Sequence, residues 1–362
     1  MRVAVVGAGV VGLSTTVALL GQGADVVCYD RGRPMGERSV GGSRIFRLAH
    51  TDAELVDLAI RSRRMYDAWS RDAAEELIDD TETVVSGPDV SAWAAAMSAA
   101  GARHSVVGPT SPLLRLPAGE IPAQSLVDHA GGVVRAARVG AYLRSVTSSV
   151  VREATVFAVE ETTGGVRVRS STSAEVFDAA VVCAGAATSG LAAQVGIYTP
   201  PDLNHHVRFT FALRQGSERE RFQCWISRSS DGLDTYQHLS GPGEWAVGAH
   251  VGRDDVRWEA GRDHATQASR RVVTGYVRRY LTAVDPQVRE LLHCTTTPGL
   301  DDGYRVLRRG RVLAVYGDNL FKLAPVLGRR LAGAALDGST PPSTGMHRTA
   351  PVGGDEPADG RG

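Results

Sequence analysis

VAVVGAGVVGLSTTVALLGQGADVVCYD, residues 3–30, is the stretch that decides the fold. Its apolar and small residues predict a buried strand over 3–6, a glycine turn, a helix over 13–20 and a second strand over 26–29. A strand, a tight turn and a helix that returns the chain to a neighbouring strand are typical of a parallel sheet covered by helices. The sequence therefore predicts an α/β nucleotide-binding unit at the N-terminus.

Three glycines stand in the turn at the spacing G-x-G-x-x-G. The first permits the turn, the second lets a pyrophosphate approach the backbone, and the third lets the helix pack closely on the strand. An acid at the end of the second strand is placed to accept a hydrogen bond from a ribose hydroxyl. The predicted adenine-dinucleotide contacts here are Gly7, Gly9, Val10, Val11, Gly12, Asp30 and Arg31. The alternative is a purely structural turn.

FAD and NAD share this motif, so the following residues are needed to distinguish them. RGRPMGERSVGGSRIFRLAH, residues 31–50, is polar and glycine-rich and does not read as the next repeat of a simple NAD fold. Such a stretch can pass beside an isoalloxazine ring, which favours FAD.

Strand, glycine and helix recur in the same order at 177–196 and 311–336. The intervening chain has another character, with antiparallel strands predicted over 141–170 and 204–250 and a helical pattern over 263–292. The predicted fold class is α/β, or mixed α+β: a Rossmann-like FAD-binding domain interleaved with a mixed or antiparallel-sheet substrate domain. The predicted boundaries are 1–75, 135–200 and 293–337 for the FAD-binding domain, 76–134 and 201–292 for the substrate domain, and 338–362 for a disordered tail.

Composition narrows the class of protein. The chain of 362 residues is 43% hydrophobic and 22% charged, and its formal net charge is zero. Nothing in that balance favours nucleic acid or an anionic membrane as a partner. Four cysteines without a C-x-x-C pair argue against a zinc site or a disulfide framework and favour a reducing cytoplasm. We expect a cytoplasmic protein, a monomer or weak dimer with no metal; a signal peptide is the weaker interpretation of the N-terminus.

Lys322, in NLFKLAPVLG, is the only lysine among 40 lysine and arginine residues. Lysine offers a compact point charge on a thin stem, whereas arginine offers a broad planar fork. Lys322 is either a chance survivor in a cramped structural site or the ligand of a group that needs a point charge in a narrow space.

These stretches together resemble the FAD-dependent amine oxidases of the D-amino acid oxidase superfamily, and most closely the monomeric sarcosine oxidase group. The resemblance spans residues 1 to about 337 and is carried by GAGVVG with its acid, GGSRIFRLAH at 41–50, CTTTPGLDDGY at 294–304 and YGDNLFKLAPVLG at 316–328. It implies oxidation of the C–N bond of an amino or imino acid, such as a secondary amine, to an imine. In this family hydride passes to the flavin, and O2 or another acceptor then reoxidises it.

The resemblance also implies roles for residues. Arg44 would lie against the flavin, Arg47 and Lys322 would hold the substrate carboxylate, and Cys294 would attach the flavin covalently. Tyr236 and His250 would stand in the active site, and Val151 would touch the adenine side through its backbone. Further cofactor contacts are expected from Ser43, Gly185, Gly317, Asn319, Leu320 and Phe321. The alternative for each is a structural role, with FAD bound non-covalently in the case of Cys294.

Some positions depart from the family pattern. The lysine that promotes reaction with O2 in the sarcosine group corresponds to Ala246, and no second lysine exists to replace it. Val40 and Thr296 replace a family histidine and tyrosine, which predicts a roomier pocket and another substrate. A flavin monooxygenase, and an FAD dehydrogenase or non-catalytic partner subunit, remain alternative functions; a specialised biosynthetic pathway would suit these departures.

Overall fold

A computed structural model describes residues 1–119, 121, 124–217, 220–228, 233–300 and 302–344. The strands are β1 Arg2–Val6, β2 Asp25–Asp30, β3 Arg44–Phe46, β4 Thr83–Ser86, β5 His104–Val107, β6 Ser125–Asp128, β7 Gly132–Val134, β8 Val151–Glu153, β9 Val156–Thr162, β10 Gly165–Ser170, β11 Ala174–Phe177, β12 Ala179–Val182, β13 Asn204–Leu213, β14 Cys224–Ser227, β15 Thr235–Gly241, β16 Glu244–Ala249, β17 Val284–Thr296, β18 Tyr304–Arg309 and β19 Val312–Gly317. The α-helices are α1 Val10–Gly21, α2 Ala53–Ala73, α3 Val90–Ala99, α4 Ala136–Thr147, α5 Thr188–Ala193, α6 Arg253–Val256, α7 Arg262–Tyr280 and α8 Ala324–Asp337.

A six-stranded sheet in the order β18-β19-β12-β1-β2-β8 forms the nucleotide-binding half. β1 pairs in parallel with β2 on one side and with β12 on the other, and β12 pairs in parallel with β19. The three strand, glycine and helix units predicted from the sequence thus meet in one sheet. Only β18 runs antiparallel, as a hairpin with β19.

The first glycine turn allows a very close approach of helix to strand. Gly7 has φ +101°, in the left-handed region that favours glycine. A Cβ at Gly12 would lie 1.8 Å from the carbonyl oxygen of Gly7, so no side chain fits there. Farther along α1, Ser14 packs against Gly328 of α8, where a Cβ would meet the Ser14 backbone at 2.5 Å. Glycine therefore sets the spacing of α1 both to its own strand and to the last helix.

The second half is an eight-stranded sheet in the order β17-β13-β16-β15-β14-β4-β6-β5. Its pairs are antiparallel except for β14 with β4. Phe209, Phe211, Trp225 and Trp245 are buried in a core that includes Val273 and Val277 of α7. The antiparallel strands predicted over 204–250 are confirmed, and the whole is the mixed α/β architecture with several sheets expected from the sequence.

Three local predictions differ from the structure. Residues 141–147 belong to α4 instead of a strand, with Val139 and Leu143 buried on one helical face. Residues 284–292 continue as β17 instead of the helix, because Pro286 removes a backbone donor and the chain then pairs with β13. Within the predicted tail, Thr344 forms a bridge with Tyr304, and residues 345–362 lie outside the described residues.

Neither a membrane-spanning helix nor a metal-binding group is present among the described residues. No described helix is both long and apolar enough to cross a bilayer. The same residues contain no group of three or more His, Cys, Asp or Glu side chains suited to holding a metal ion.

We predict that Gly12→Ala lowers the free energy of unfolding by roughly 1–3 kcal/mol, because the new methyl group must displace the Gly7 carbonyl. Gly21→Ala in the same helix is the matched control, since nothing lies within 4 Å of its Cβ. That substitution should leave stability unchanged or raise it by up to about 1 kcal/mol. Urea denaturation of both variants measures the difference, and equal effects would contradict the close approach.

Candidate active site

The N-terminus of α1 lies at the carboxyl edge of the parallel sheet. Gly9 is the N-cap, and no side chain of its own caps the helix. Asp30 ends β2 and accepts hydrogen bonds from the Ala8 amide at 2.6 Å and the Gly32 amide at 3.1 Å. Ser39 Oγ accepts from the Val10 amide at 3.0 Å, which ties the 31–50 segment to the turn. A helix N-terminus of this kind suits a pyrophosphate.

The other predicted cofactor residues lie at the same sheet or in the segment that crosses it. Val151 pairs with Cys28 of β2, and Gly185 follows β12 at the start of a short 3₁₀ turn. Gly317 ends β19, where its carbonyl accepts from Arg38 Nη2 at 3.4 Å. Arg31 points away, pairing with Glu37 on the surface at 2.8 Å.

Cys294 faces a group of basic and aromatic side chains, here called the arginine cluster: Arg44, His206, Arg208, Tyr236 and His238. Register places His206 of β13 opposite Cys294 of β17, and Tyr236 of β15 donates to or accepts from His206 Nε2 at 2.7 Å. Arg208 Nη1 donates to the Ser43 carbonyl at 2.9 Å, and Ser43 Oγ lies 2.9 Å from His238 Nε2. The fold thus brings Ser43, Arg44, Tyr236 and Cys294 into one group.

The arginine cluster carries positive charge that the described residues do not neutralise. No described carboxylate forms an ion pair with Arg44 or Arg208. Burial, with the neighbouring Arg44 guanidinium acting in the same direction, lowers the pKa of Arg208 to about 10. Burial likewise lowers the pKa of His206 to about 4, so this imidazole is neutral at physiological pH. The buried guanidinium of Arg208 and the half-buried one of Arg44, beside neutral imidazoles, favour an anionic or electron-rich ligand group.

A second group of residues surrounds one carboxylate and is here called the carboxylate clamp: the buried Arg47, His50 and Lys322 and the exposed Asn319 around Asp302. Lys322 Nζ lies 3.0 Å from Asp302 Oδ1, and Asn319 Nδ2 donates to the same oxygen at 2.6 Å. Arg47 Nη2 donates to the other oxygen, Oδ2. The two cations that the sequence assigned to a substrate carboxylate therefore meet on a carboxylate of the chain itself.

Burial governs the protonation of the carboxylate clamp. It lowers the pKa of Lys322 to about 7, with Arg47 acting in the same direction and Asp302 against it. Burial alone would raise the pKa of Asp302, but Arg47 and Lys322 outweigh it and hold that pKa well below the usual range. Burial, together with both cations, also keeps the pKa of His50 far below its ordinary value. Asp302 is thus ionised and His50 neutral.

Neighbouring elements fix the two cations. Tyr66 Oη of α2 donates to the Phe321 carbonyl at 2.6 Å, and Ser62 Oγ donates to the Lys322 carbonyl. Asp128, fully buried, accepts from the backbone amide of Ala49 at 3.1 Å beside Arg47. The Arg47 guanidinium also lies 4.9 Å from the centre of the Trp93 ring.

Phe321 joins the two groups, because the Arg44 guanidinium lies 5.6 Å from its ring centre while its neighbour Lys322 enters the carboxylate clamp. Leu320 is half-buried beside it and packs on the main core. His250 lies at the edge of the arginine cluster: its ring centre is 6.3 Å from that of His206, while its side chain is 68% exposed and lies 3.8 Å from Asp234.

Sequence reasoning missed several residues of this site, namely His50, His206, Arg208, His238 and Asp302. His50 and Asp302 lie within the stretches that carry the family resemblance, but only His50 stands near Arg47 in the sequence. His206 has no acid at metal-ligand spacing, so the sequence around it gives no signal of a site. No local pattern identifies Arg208 or His238, since strand register alone brings them to the site.

Comparison with known families gives a match over residues 2–334 to "DAO", described as FAD dependent oxidoreductase. The chain belongs to this family. The site of this FAD-dependent oxidoreductase fits the cofactor, because α1 has an open N-terminus where Gly12 admits no side chain. Buried polar atoms of the arginine cluster, Arg208 Nε and His238 Nδ1, also have no partner among the described residues.

Solved structures share the fold of this FAD-dependent oxidoreductase at low identity. NikD, an unusual amino acid oxidase essential for nikkomycin biosynthesis, has TM-score 0.76 and 19% identity over 93% of this chain and 94% of its own. L-proline dehydrogenase from P. horikoshii has TM-score 0.73 and 13% identity, covering 94% of each chain. Glycine oxidase from Geobacillus kaustophilus has TM-score 0.71 and 16% identity over 92% and 95%. The search of curated proteins gave no match.

We predict that Tyr66→Phe lowers the free energy of unfolding by about 1–3 kcal/mol, because the buried Phe321 carbonyl loses its donor. Tyr142→Phe is the matched control: that hydroxyl contacts the partly exposed Asp72 at 3.4 Å. The control should change stability by less than about 0.5 kcal/mol in urea denaturation. Equal stability of the two variants would show that the hydrogen bond from Tyr66 does not stabilise the turn at Lys322.

Proposed function

We propose that this FAD-dependent oxidoreductase oxidises the C–N bond of an amino or imino acid, preferably a secondary amine, to an imine. The observation that carries the proposal is the convergence of Arg47 and Lys322 on the two oxygens of one buried carboxylate. Arginine binds a carboxylate as a fork and lysine as a point charge, so the pair fixes both the position and the orientation of a carboxylate ligand. The carboxylate of an amino acid matches these donors.

Fixing the carboxylate places the neighbouring α-carbon and nitrogen at a constant position, which is the main contribution a protein makes to such a reaction. The two buried cations also lower the pKa of a bound ammonium group and favour the neutral amine. His50, neutral and buried, leaves Nε2 without a partner among the described residues and is available to that nitrogen. Oxidation of CH–NH to C=N releases two electrons and two protons.

FAD, when bound, supplies the oxidant for this step. Gly7, Gly9, Val10, Val11 and Gly12 would hold its pyrophosphate, and Asp30 its ribose. Beyond these, the residues proposed to contact it are Arg31, Ser43, Arg44, Val151, Gly185, Cys294, Gly317, Asn319, Leu320, Phe321 and Lys322. Tyr236 is proposed to line the site, and His250 remains a prediction from the family resemblance.

The electrons pass finally to O2, giving H2O2, or to another acceptor. Ala246 is fully buried in β16 between Thr210 and His238. Arg208 stands two residues from Thr210 on β13, and alternate side chains of a strand share one face. Arg208 therefore places a positive charge on the same face of the sheet as Ala246, whose own side chain is uncharged. A second candidate, an FAD dehydrogenase that reacts slowly with O2, is favoured by the absence of a lysine at position 246.

The named relatives support the substrate class. NikD is described as an amino acid oxidase, and two further neighbours act, by name, on proline and glycine. Proline is a secondary amine. The nikkomycin role of NikD is consistent with a place for this enzyme in a specialised biosynthetic pathway.

The test is an anaerobic screen of amino and imino acids for bleaching of the flavin absorbance, followed by admission of air and assay of H2O2. We expect bleaching by at least one α-amino or imino acid, and Lys322→Arg should raise its KM at least about tenfold, since guanidinium does not fit the narrow space. Arg271→Lys, on the exposed face of α7, is the control. Consumption of a nicotinamide cofactor without bleaching by any amino acid would indicate a monooxygenase instead.

Carboxylate binding should depend on pH through Lys322. Its pKa near 7 means that the ammonium charge is lost as pH rises above 7. The affinity for a carboxylate should therefore decrease with rising pH, and the slope should approach about a tenfold loss per pH unit. His50 stays neutral, Asp302 ionised and Arg47 charged through this range. Titration with benzoate, which has no amine, measures the effect through the flavin spectrum. Lys322→Arg should bind more weakly but without this pH dependence; a parallel slope in both proteins would assign it to another group.

Covalent attachment of FAD through Cys294 is proposed from the family resemblance, with the thiol 3.9 Å from the Arg38 carbonyl oxygen. Acid precipitation should leave the yellow colour in the wild-type pellet, whereas Cys294→Ser should release it to the supernatant. Cys183→Ser, a half-buried cysteine after β12, is the control and should retain the colour. A colourless wild-type pellet would establish non-covalent binding.

A further inference from the structure

We propose that Asp302 is an internal competitor for the substrate carboxylate: its side chain occupies the carboxylate clamp in the resting enzyme and must leave it when substrate binds. This inference rests on the proposed function, because it takes Arg47 and Lys322 as the carboxylate-binding pair. Asp302 thereby sets the affinity of the enzyme for carboxylate substrates.

The first support is the donor pattern. Lys322 and Asn319 both donate to Oδ1 of Asp302, at 3.0 and 2.6 Å, while Arg47 donates to Oδ2. Asn319 holds its position with φ 51°, a left-handed conformation that asparagine tolerates. Three donors divided between the two oxygens are complementary to any carboxylate, including that of an amino acid. Substrate and Asp302 would satisfy the same donors and cannot do so together.

The burial of two positive charges, Arg47 and Lys322, also supports this role of Asp302. Arg47 and Lys322 are 8% and 4% exposed, so neither cation is solvated in compensation. Two buried like charges without an anion are strongly unfavourable. In the absence of substrate the chain needs a counterion, and Asp302 is the described carboxylate that contacts both cations. Substrate supplies the same negative charge, so the exchange of one carboxylate for the other conserves the net charge of the carboxylate clamp.

The third support is the placement of Asp302. Its side chain is 16% exposed, more than that of Arg47 at 10% or Lys322 at 4%. It belongs to the connection between β17 and β18, where Gly303 precedes β18 and no regular element holds it. The Asp302 side chain is therefore the most accessible of the three, while Gly303 beside it is held by its amide donating to the Leu300 carbonyl at 2.7 Å and its carbonyl accepting from the Asp318 amide at 3.1 Å.

The affinity for a carboxylate ligand therefore depends on whether Asp302 occupies the carboxylate clamp. A ligand that binds only when Asp302 has left has its apparent Kd multiplied by the reciprocal of the open fraction. If Asp302 occupies the carboxylate clamp for most of the time, removing it must tighten carboxylate binding. The same removal must destabilise the empty enzyme, because the cations then lack an anion. An external carboxylate should restore that stability.

The experiment uses the FAD-loaded enzyme with Asp302→Ala and two probes, acetate and benzoate, at constant ionic strength. Without carboxylate, the Tm of the variant should fall by about 5–10 °C relative to wild type. Acetate should recover at least half of that loss, while wild type shifts by about 1 °C or less. Acetamide, a neutral analogue, should rescue neither. Benzoate, followed by the flavin spectrum, should bind the variant at least about tenfold more tightly than wild type.

Asp318→Asn is the matched control. Asp318 is also a buried acid of the same region, but it pairs with Arg38 at 2.9 Å and accepts from the Thr297 amide at 2.8 Å, outside the carboxylate clamp. Its variant should show no rescue by acetate. Should Asp302→Ala fail to fold, Asp302→Asn retains the shape and an acceptor oxygen while removing the charge, and the same titrations apply.

The outcomes separate the two proposals. Unchanged or weaker benzoate binding in the Asp302 variants, together with Lys322-dependent binding in wild type, would overturn the competitor role and leave the proposed function standing. Rescue by acetate without tighter benzoate binding would likewise overturn it, reducing Asp302 to a structural counterion. If Lys322→Arg changed neither benzoate binding nor amino acid KM, the proposed function itself would fail.

Discussion

Two buried cations that need one anion are the constraint around which the active site is organised. Arg47 and Lys322 come from segments 275 positions apart in the chain, yet both end at the carboxylate of Asp302. Bringing like charges together in a site of low polarity is unfavourable unless a carboxylate and hydrogen-bond partners compensate. The surrounding elements provide those partners: α2 holds the backbone of Phe321 and Lys322, and Asp128 holds the backbone beyond Arg47. Two cations arranged in this way favour a carboxylate ligand, which is the group that the proposed function assigns to them.

The 31–50 segment connects this constraint to the nucleotide end of the molecule. Ser39 contacts the N-terminus of α1, Arg38 pairs with Asp318 beyond β19, and Arg44 and Arg47 enter the two charged groups. Burial raises the pKa of Asp318 to about 6, although Arg38 opposes this shift. One segment thus fixes the relative positions of the dinucleotide turn, the arginine cluster and the carboxylate clamp. The segment includes the short strand β3, which pairs with β7, and its polar and glycine residues precede that strand.

Much of this arrangement was predictable from sequence, and the remainder shows where local patterns stop. The glycine turn and the parallel strands follow from a motif in which the chemistry and the spacing coincide, whereas the shared role of Arg47 and Lys322 was implied by the family resemblance. Residues 141–147 and 284–292 were assigned the wrong element because their apolar spacing suits more than one structure, and tertiary packing decides between them. Arg208 and His238 reach the site through the register of β13, β16 and β15, a long-range property that no window of sequence contains. Asp302 was overlooked for another reason: an acid was not expected where a substrate carboxylate should bind.

The single lysine now has a physical explanation in the number of donors that one carboxylate can accept. The two oxygens of Asp302 already receive Arg47 and Asn319, and the remaining position on Oδ1 is reached by a side chain only 4% exposed. A guanidinium there would bring five donors to a space in which one is needed, leaving the others buried without acceptors. The ammonium group, at the end of a thin stem, turns its donors towards what the site offers and sheds its proton when no anion is present. Arginine stands at all of the other positions that hold a lysine or arginine in this chain. The demand for one compact and adjustable charge is sufficient reason to keep lysine at position 322.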